Sequence, residues 1–464
     1  MAKLFCHRLK QRKLATLFLA LAVTIWLAAC GSTGSNGSKS LLGSVGAASP
    51  AAPAAANTTQ GNSVSAQANT LSAMTGANTS AGPSFASQTN GNVGGANISK
   101  VPTNTLLTSG THTPIYAHLM GWFGTSSHMN VGYTSSDPAQ IHRQVADALS
   151  RGISGFVLDW YGQNADPMVN NTLLGLKTEA ENQAGSFSFA VMYDGGALTS
   201  CHSSACDLNK QTISDLTYAY NTVEQSKAYI RLGGRPVVLF FDADRYGTLD
   251  WALIQASVPG NPVFLFNGAA FTHAGNGAYS WVVPSSNAAD WQSSLDSFYS
   301  QAQTFSSEFA MGATYKGFND SMALWGTGRL MNQACGSTWL GTFTEANKYV
   351  STETAGLQIV TWNDYEEGTE IETGIDNCVA ISASLSKTTL AWTITGSEST
   401  VDHYTVFASS DGQNLTALGD VPAGTHSYDL SSANLAAGNH TIYVQAVGKP
   451  SLTNKMSAGV QYSS

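Results

Sequence analysis

Acidic residues are scarce in this chain, and they gather where short apolar runs end. Only 11% of the 464 residues are charged. Gly155–Asp159 ends in Asp159-Trp160-Tyr161, and Phe187–Tyr193 in Tyr193-Asp194. Pro236–Phe241 runs into Asp242-Ala243-Asp244-Arg245, Val263–Phe266 reaches Asn267, and Phe309–Ala313 leads to Tyr315. Leu357–Trp362 opens into Asn363-Asp364-Tyr365-Glu366-Glu367. Carboxylates in this company fit the cleavage of a bond between sugars. One carboxylic acid protonates the leaving oxygen, and a second carboxylate activates water or attacks the sugar. Neighbouring carboxylates push their proton affinities apart, which lets one stay protonated. Aromatic rings stack on sugar faces, and Asp, Asn and Tyr bind hydroxyls. Asp159, Trp160, Tyr161, Tyr193, Asp194, Asp242, Asn267, Tyr315, Trp362 and Asn363 are the candidates for substrate contacts. Each Asp alone could instead cap a following helix, and for Asp244 the two readings are equal. His118 lies near the end of an earlier run and is as well explained as a packed core histidine.

The elements that must position these residues alternate in kind. Strands are expected at Ile115–Met120, Gly155–Asp159, Phe187–Tyr193, Pro236–Phe241, Val263–Phe266, Ser280–Val283, Phe309–Ala313 and Leu357–Trp362. Several are continuous apolar runs, as parallel strands covered on both faces are. Helices are expected at Pro138–Leu149, Ser214–Ile230 and Thr342–Val350; the first places Ile141, Val145, Ala148 and Leu149 on one face behind Ser136 or Asp137 as N-cap. Alternating strands and helices make parallel βαβ units. Eight of them over this length match a (β/α)8 TIM barrel, an α/β fold whose site lies at the C-terminal strand ends. An open doubly wound sheet would carry a Gly-rich turn after its first strand, and none is present. Little chain follows the eighth strand, so its helix is expected to be trimmed, with the next domain covering that side.

The barrel is expected over residues 110–378. From 379 to 464 the pattern changes to short alternating strands, such as Leu390-Ala391-Trp392-Thr393-Ile394, with turns at Asp411-Gly412, Ala423-Gly424 and Ala437-Gly438. This is a small all-β sandwich. Trp392, Tyr404 and the run from Leu435 through Tyr443-Val444-Gln445-Ala446 resemble a fibronectin type III module, with His440 where the corner tyrosine usually stands. A spacer is the favoured role and sugar binding the other.

The chain opens with Lys3, Arg8, Lys10, Arg12 and Lys13, then an apolar run from Leu14 to Ala29. That run is shorter than the roughly 20 residues of a membrane span and has the form of a secretory signal, residues 1–29. Leu27-Ala28-Ala29-Cys30-Gly31 resembles the lipobox of bacterial lipoproteins, which implies that Cys30 is acylated and becomes the new N-terminus. The expected location is the outer side of a bacterial membrane or the cell surface, with membrane contact only through the lipid. Residues 30–109 are almost all Gly, Ala, Ser, Thr and Asn and bury too little to offset chain entropy, so a disordered tether is expected. Cys201, Cys206, Cys335 and Cys378 remain after export. An even number in an oxidising compartment points to two disulfides, Cys201–Cys206 and Cys335–Cys378. A metal site of Cys201, His202 and Cys206 is the weaker reading, since no second ligand pair matches it. The net charge of −9 argues against nucleic acid, which needs a basic face.

Thr361-Trp362-Asn363-Asp364-Tyr365-Glu366-Glu367-Gly368-Thr369-Glu370-Ile371-Glu372 resembles the signature of glycoside hydrolase families 71 and 99. Val131–Pro138, Gly155–Gly162, Gly234–Val237 and Tyr315–Asp320 support it, and the resemblance spans about Pro114 to Glu372. It implies Glu367 as general acid and Asp364 as base, a mechanism that needs no metal or cofactor, and a polysaccharide substrate; the protein is expected to be a monomer. Asp at position 364 is similar to the inverting α-1,3-glucanase chemistry of family 71. The Gly-Thr-x-Ile-Glu that follows is similar to family 99, which cleaves α-mannosides with retention through the substrate's 2-hydroxyl. An endo-acting hydrolase of α-1,3-glucan, or next of α-mannan, is the leading expectation. A non-catalytic surface glycan-binding lipoprotein is the alternative, and an adhesion protein working through its sandwich a third. Glu366 and Glu370 are expected to be solvated loop charges.

Overall fold

The apolar run Ile115–Met120 forms β1, with all six residues buried. In the computed structural model it is the first of eight parallel strands. The structure describes residues 97–464, apart from 269, 272–275, 285–289, 350–354 and 413. The signal segment, Cys30 and the tether up to residue 96 lie outside the described residues. The other strands are β2 (Gly155–Trp160), β3 (Ser188–Asp194), β4 (Arg235–Phe241), β5 (Val263–Asn267), β6 (Gly277–Tyr279), β7 (Phe309–Thr314) and β8 (Gly356–Ile359). Each pairs in parallel with its neighbours, β3 with β4 and β8 with β1, so the sheet closes on itself. It is a (β/α)8-type barrel followed by antiparallel sheets.

Six longer helices lie among the described residues: α1 (Pro138–Ser150), α2 (Pro167–Asn182), α3 (Leu208–Ala219), α4 (Trp251–Ser257), α5 (Asp290–Thr304) and α6 (Ser337–Tyr349). Their starts follow local chemistry. Asp137 caps α1 by accepting the Ala139 N–H at 2.9 Å, with Pro138 fixing the first turn. Asp166, Asp207 and Asp250 cap α2, α3 and α4 in the same way. The expected helix Ser214–Ile230 is corrected: α3 starts at the Asp207 cap and passes through a π-helical turn, Tyr220–Glu224. The sixth strand is also displaced, from Ser280–Val283 to Gly277–Tyr279. There β6 lies so close to β7 that a Cβ on Gly277 would sit 1.8 Å from the Phe309 carbonyl oxygen. Trp281 belongs to the loop beyond and packs edge-on to His118, with ring centroids 4.6 Å apart.

Folded chain begins before residue 110, inside the segment expected to be a tether. Ile98 and Ser99 are buried. The Ser99 N–H donates to the Leu452 carbonyl at 2.8 Å, and Thr103 donates through both its N–H and its hydroxyl to the Arg151 carbonyl. Composition hides this because a few residues, Ile98, Thr103 and Leu107, anchor an otherwise polar segment.

No α-helix follows β8 among the described residues. The loop around Leu452 takes that place. The Ile375 N–H donates to the Ser451 carbonyl at 3.0 Å, and Trp339 Nε1 donates to the Pro450 carbonyl at 2.9 Å. The two β-layers beyond are a three-stranded sheet (Ala380–Ser386, Thr389–Thr395, Ser427–Asp429) and a five-stranded one built on Val401–Ser409 and Asn439–Gly448. Leu390 and Trp392 from the first meet Tyr404, Val406, Ile442 and Val444 from the second in one core. His440 Nε2 lies 2.8 Å from the Ala436 carbonyl oxygen. A protonated Nε2 there ties the strand to the chain upstream, as a corner tyrosine hydroxyl does.

Candidate active site

The loop after β8 is folded by its own side chains. Thr361 Oγ1 accepts the Asp364 N–H at 2.8 Å, and the Thr361 and Thr369 hydroxyls meet at 2.9 Å. The Thr369 N–H donates to the Asp364 carbonyl. Asp364 Oδ1 accepts two backbone N–H groups, from Glu366 at 3.1 Å and Glu367 at 3.0 Å. One oxygen of this carboxyl therefore holds the turn that carries Glu367, and Oδ2 takes no part in it. The Asn319 N–H donates to the Glu367 carbonyl at 2.7 Å, which ties the turn to the segment after β7.

Asp159 on β2, Asp194 on β3, Asp364 and Glu367 act on one another electrostatically. Burial, then the charges of Asp194, Asp364 and Glu367, holds the Asp159 carboxyl well above the usual range. Burial and Glu367 do the same to Asp364, opposed by the Glu367 N–H. Burial raises Glu367 to about 7, with Arg329 opposing and Asp320 adding to the rise. Asp194 rises to about 6 through burial, moderated by the Gly196 N–H and Arg245. Such mutual repulsion in a desolvated site lets part of the group keep its protons at neutral pH while the rest ionises. Tyr161 joins this group: after burial, Asp194, Asp159 and Asp364 raise its hydroxyl. Asp159 Oδ1 is buried with no hydrogen-bond partner, an acceptor poised for a ligand donor. Asp242 is half-buried and reaches the group through Asp194. Asn267 is half-buried and hydrogen-bonds the Tyr279 hydroxyl.

Five candidates do not line this space, and each is corrected by its contacts. Alternation along a strand turns Trp160 and Tyr193 away from the face that carries Asp159 and Asp194. Trp160 donates to Asn170 Oδ1 on α2 at 3.2 Å, and the Tyr193 hydroxyl donates to Asp215 on α3 at 3.0 Å. Tyr315 is buried, with its hydroxyl toward the Trp291 carbonyl. Trp362 lies under the Arg151 guanidinium, 4.9 Å from its ring centroid. Asn363 spends its amide on the end of β1, accepting the Met120 N–H at 2.8 Å and donating to the Met120 carbonyl and the Tyr133 hydroxyl.

Glu366 and Glu370 are corrected too. Glu366 is 2% exposed; it binds His128 Nδ1 at 2.9 Å and accepts the Met129 N–H at 3.0 Å. Glu370 pairs with Lys316 at 2.7 Å. His118 is fully buried, with Nε2 2.5 Å from Gln358 Oε1, and burial lowers it to about 4. Asp244 accepts the Leu249 N–H at 3.0 Å, while Asp250 caps the helix that follows. Both expected disulfides are present, Cys201–Cys206 and Cys335–Cys378. No helix of the described residues is long and apolar enough to cross a membrane.

Sequence reasoning missed four residues beside the carboxylates. Trp122 stacks on His128 at 5.0 Å, and Trp325 reaches both His128, at 6.1 Å, and the side chain of Glu367. Arg329 acts on Glu367 across the same space. All lie in loops following β1 and β7, where no periodicity marks them. A barrel reading still offered one cue, since βα loops after the first and seventh strands must reach the same face as the loop after the eighth.

No family model matches this chain, and no curated protein sequence does. Among solved structures, the chain is similar to a glycoside hydrolase family 99 endo-α-mannosidase from Bacteroides thetaiotaomicron in complex with BIS-TRIS-propane. The identity is 15% and the TM-score 0.45, over 56% of this chain and 86% of that one. A second structure of a family 99 endo-α-mannosidase from Bacteroides thetaiotaomicron aligns at 14% identity and a TM-score of 0.43, over 56% and 87%. At these values the chemistry has to be read from the carboxylates themselves.

Proposed function

We propose that this chain is an endo-acting glycoside hydrolase of an α-linked polysaccharide, with α-1,3-glucan favoured and α-mannan second. The observation that carries this is the carboxyl group at the strand ends, in which Glu367 is raised to about 7 beside a buried Asp364. A general acid works best when its proton affinity lies near the working pH. Glu367 gives its proton to the glycosidic oxygen as the bond to the anomeric carbon breaks. Asp364 takes a proton from the water that attacks that carbon, and the sum is addition of one water across the bond. If the substrate's 2-hydroxyl attacks instead, Asp364 accepts its proton first. Asp159, Tyr161, Asp194 and Asp242 bind sugar hydroxyls in this reading. The chain's own residues suffice for this chemistry without a metal or cofactor.

Export and a lipid on Cys30 belong to the same proposal, since a polymer substrate lies outside the cell. Loss of radiolabelled fatty acid from the protein in Cys30→Ser cells would support the anchor, and unchanged labelling would remove it. The activity is tested by reducing-end release from α-1,3-glucan and yeast-type α-mannan, with Asp364→Asn and Glu367→Gln beside the wild type. Activity lost in both variants, with folding unchanged, supports the assignment and selects the polymer. Binding without turnover across a broad panel would leave a glycan-binding protein instead.

A further inference from the structure

Beyond β7 the chain makes an excursion that the mechanism above does not use. Two short strands, Phe318–Asn319 and Leu330–Met331, pair antiparallel and carry between them the loop Asp320–Arg329. This loop is held from inside. The Asp320 side chain is fully buried; it accepts the Thr327 N–H at 3.2 Å, the Arg329 N–H at 2.7 Å and Arg329 Nε at 2.7 Å. The Arg329 guanidinium also covers the Phe318 ring at 5.0 Å. Gly326 lies where any Cβ would strike the Asp320 carbonyl, at 1.7 Å. The hairpin is thus a preformed object.

Its outer surface is apolar. Met322 is 68% exposed, Leu324 86%, Trp325 49% and Leu330 58%, four of the six large apolar residues exposed among the described residues. An apolar patch on a braced loop marks a contact surface. The patch is continuous with the carboxyl group, because the Trp325 side chain hydrogen-bonds Glu367 while its ring stands 6.1 Å from that of His128. Indole donates only through Nε1–H and offers its faces as broad apolar surface. A ring that meets a carboxyl on one side, with half of its surface open, suits the C–H face of a pyranose.

We propose that the Phe318–Met331 hairpin is the leaving-group wall of the site, with Trp325 as its sugar platform and as a positioning residue for Glu367. This rests on Glu367 being the general acid of the proposed reaction. The acid stands beside the oxygen that departs, so a ring bonded to that acid lies on the side of the departing sugar. The occupant is therefore a neutral pyranose of the polymer, one unit beyond the scissile bond.

The test separates the platform from the reaction. In full-length Glu367→Gln protein, which has no turnover, binding to yeast α-mannan and to solubilised α-1,3-glucan is measured by affinity electrophoresis, with and without Trp325→Ala and Trp325→Phe. Trp325→Ala should weaken retardation by roughly 10- to 100-fold, and Trp325→Phe, which keeps a ring, by much less. Equal retardation of all three proteins, or none by either polymer, would overturn the platform. These outcomes do not depend on hydrolysis, so failure of the wild type to release reducing ends would sink the reaction separately. With active enzyme, Trp325→Ala should lose at least roughly 10-fold more kcat/KM on the polymer than on the matching α-glycosyl fluoride, whose leaving group has no ring to stack. Equal losses on the two substrates would take Trp325 off the leaving-group side.

Discussion

Asp364 and Glu367 are joined through the backbone: Asp364 Oδ1 accepts the Glu367 N–H at 3.0 Å. The residue proposed as base therefore also builds the turn that presents the acid. Asp364→Asn and Asp364→Ala separate these roles. An Asn amide oxygen still accepts the two N–H groups, so thermal stability should hold while kcat falls at least ~100-fold through loss of the base. Ala removes both, and should cost about 1 kcal/mol of stability beyond the Asn variant. Calorimetric unfolding beside kcat measurement checks this. An Asn variant with wild-type turnover would remove Asp364 from the chemistry.

The pH profile follows from the sign of the shifts. Glu367 is raised to about 7, so its proton is present below that pH and lost above it. kcat/KM should accordingly fall as pH rises through about 7 on a polysaccharide. Burial comes first among the causes, but the like charges add to it and can be removed one at a time. Asp320 is the first like charge among the causes that raise Glu367, and Asp320→Asn removes it. The anion of Glu367 becomes easier to form, and the alkaline limb should move to lower pH. A limb that stays in place would show that the Asp320 charge does not reach Glu367.

Much of this architecture was legible because burial on both faces writes itself as apolar runs. Seven of the eight barrel strands overlap their expected spans, and the carboxylates stood out at their ends because the chain is poor in acids. Trp160, Tyr193, Tyr315 and Trp362 were misassigned for one reason. Sequence shows that an aromatic residue ends a strand, but which face it takes depends on barrel register, and here all four turn into the packing layers. Asn363 and Glu366 were misjudged differently, since their partners Met120, Tyr133, His128 and Met129 are more than two hundred residues away. Trp325 carried no signal at all, for a lone tryptophan in a polar loop has no period.

Arg151 braces the site loop from below. Its guanidinium is fully buried, pairs with Asp147, donates to the Ile371 carbonyl at 2.7 Å and the Glu372 carbonyl at 2.8 Å, and covers Trp362. Arg151→Met fills similar space but leaves those carbonyls without their donor and takes from Asp147 one of the two cations, Lys100 and Arg151, that pair with it. Removing one partner of a buried pair costs roughly 3–5 kcal/mol, and denaturant unfolding should register a loss of that order. Arg151→Lys should recover only part of it, because an ammonium cannot span both carbonyls and the carboxylate. Full recovery by Lys would mean that charge alone matters here.

Glu224 provides the converse case, a buried carboxyl whose loss should stabilise the fold. It sits in the π-helical turn, fully buried, with neither carboxyl oxygen hydrogen-bonded. Burial raises it to about 8, with Arg231 only partly opposing. The folded state thus holds a proton that the unfolded chain, near its ordinary value of 4.5, releases. Between those limits the folded state binds more protons, so stability falls as pH rises from about 4.5 to about 8. Glu224→Gln removes the ionisation and should flatten that slope. Wild type and variant should be similar near the acid end, and the variant should be ahead by on the order of a few kcal/mol at the alkaline end. Urea unfolding of both proteins across this range reads the difference directly. A gap that does not widen with pH would mean that Glu224 titrates normally and that solvent reaches it.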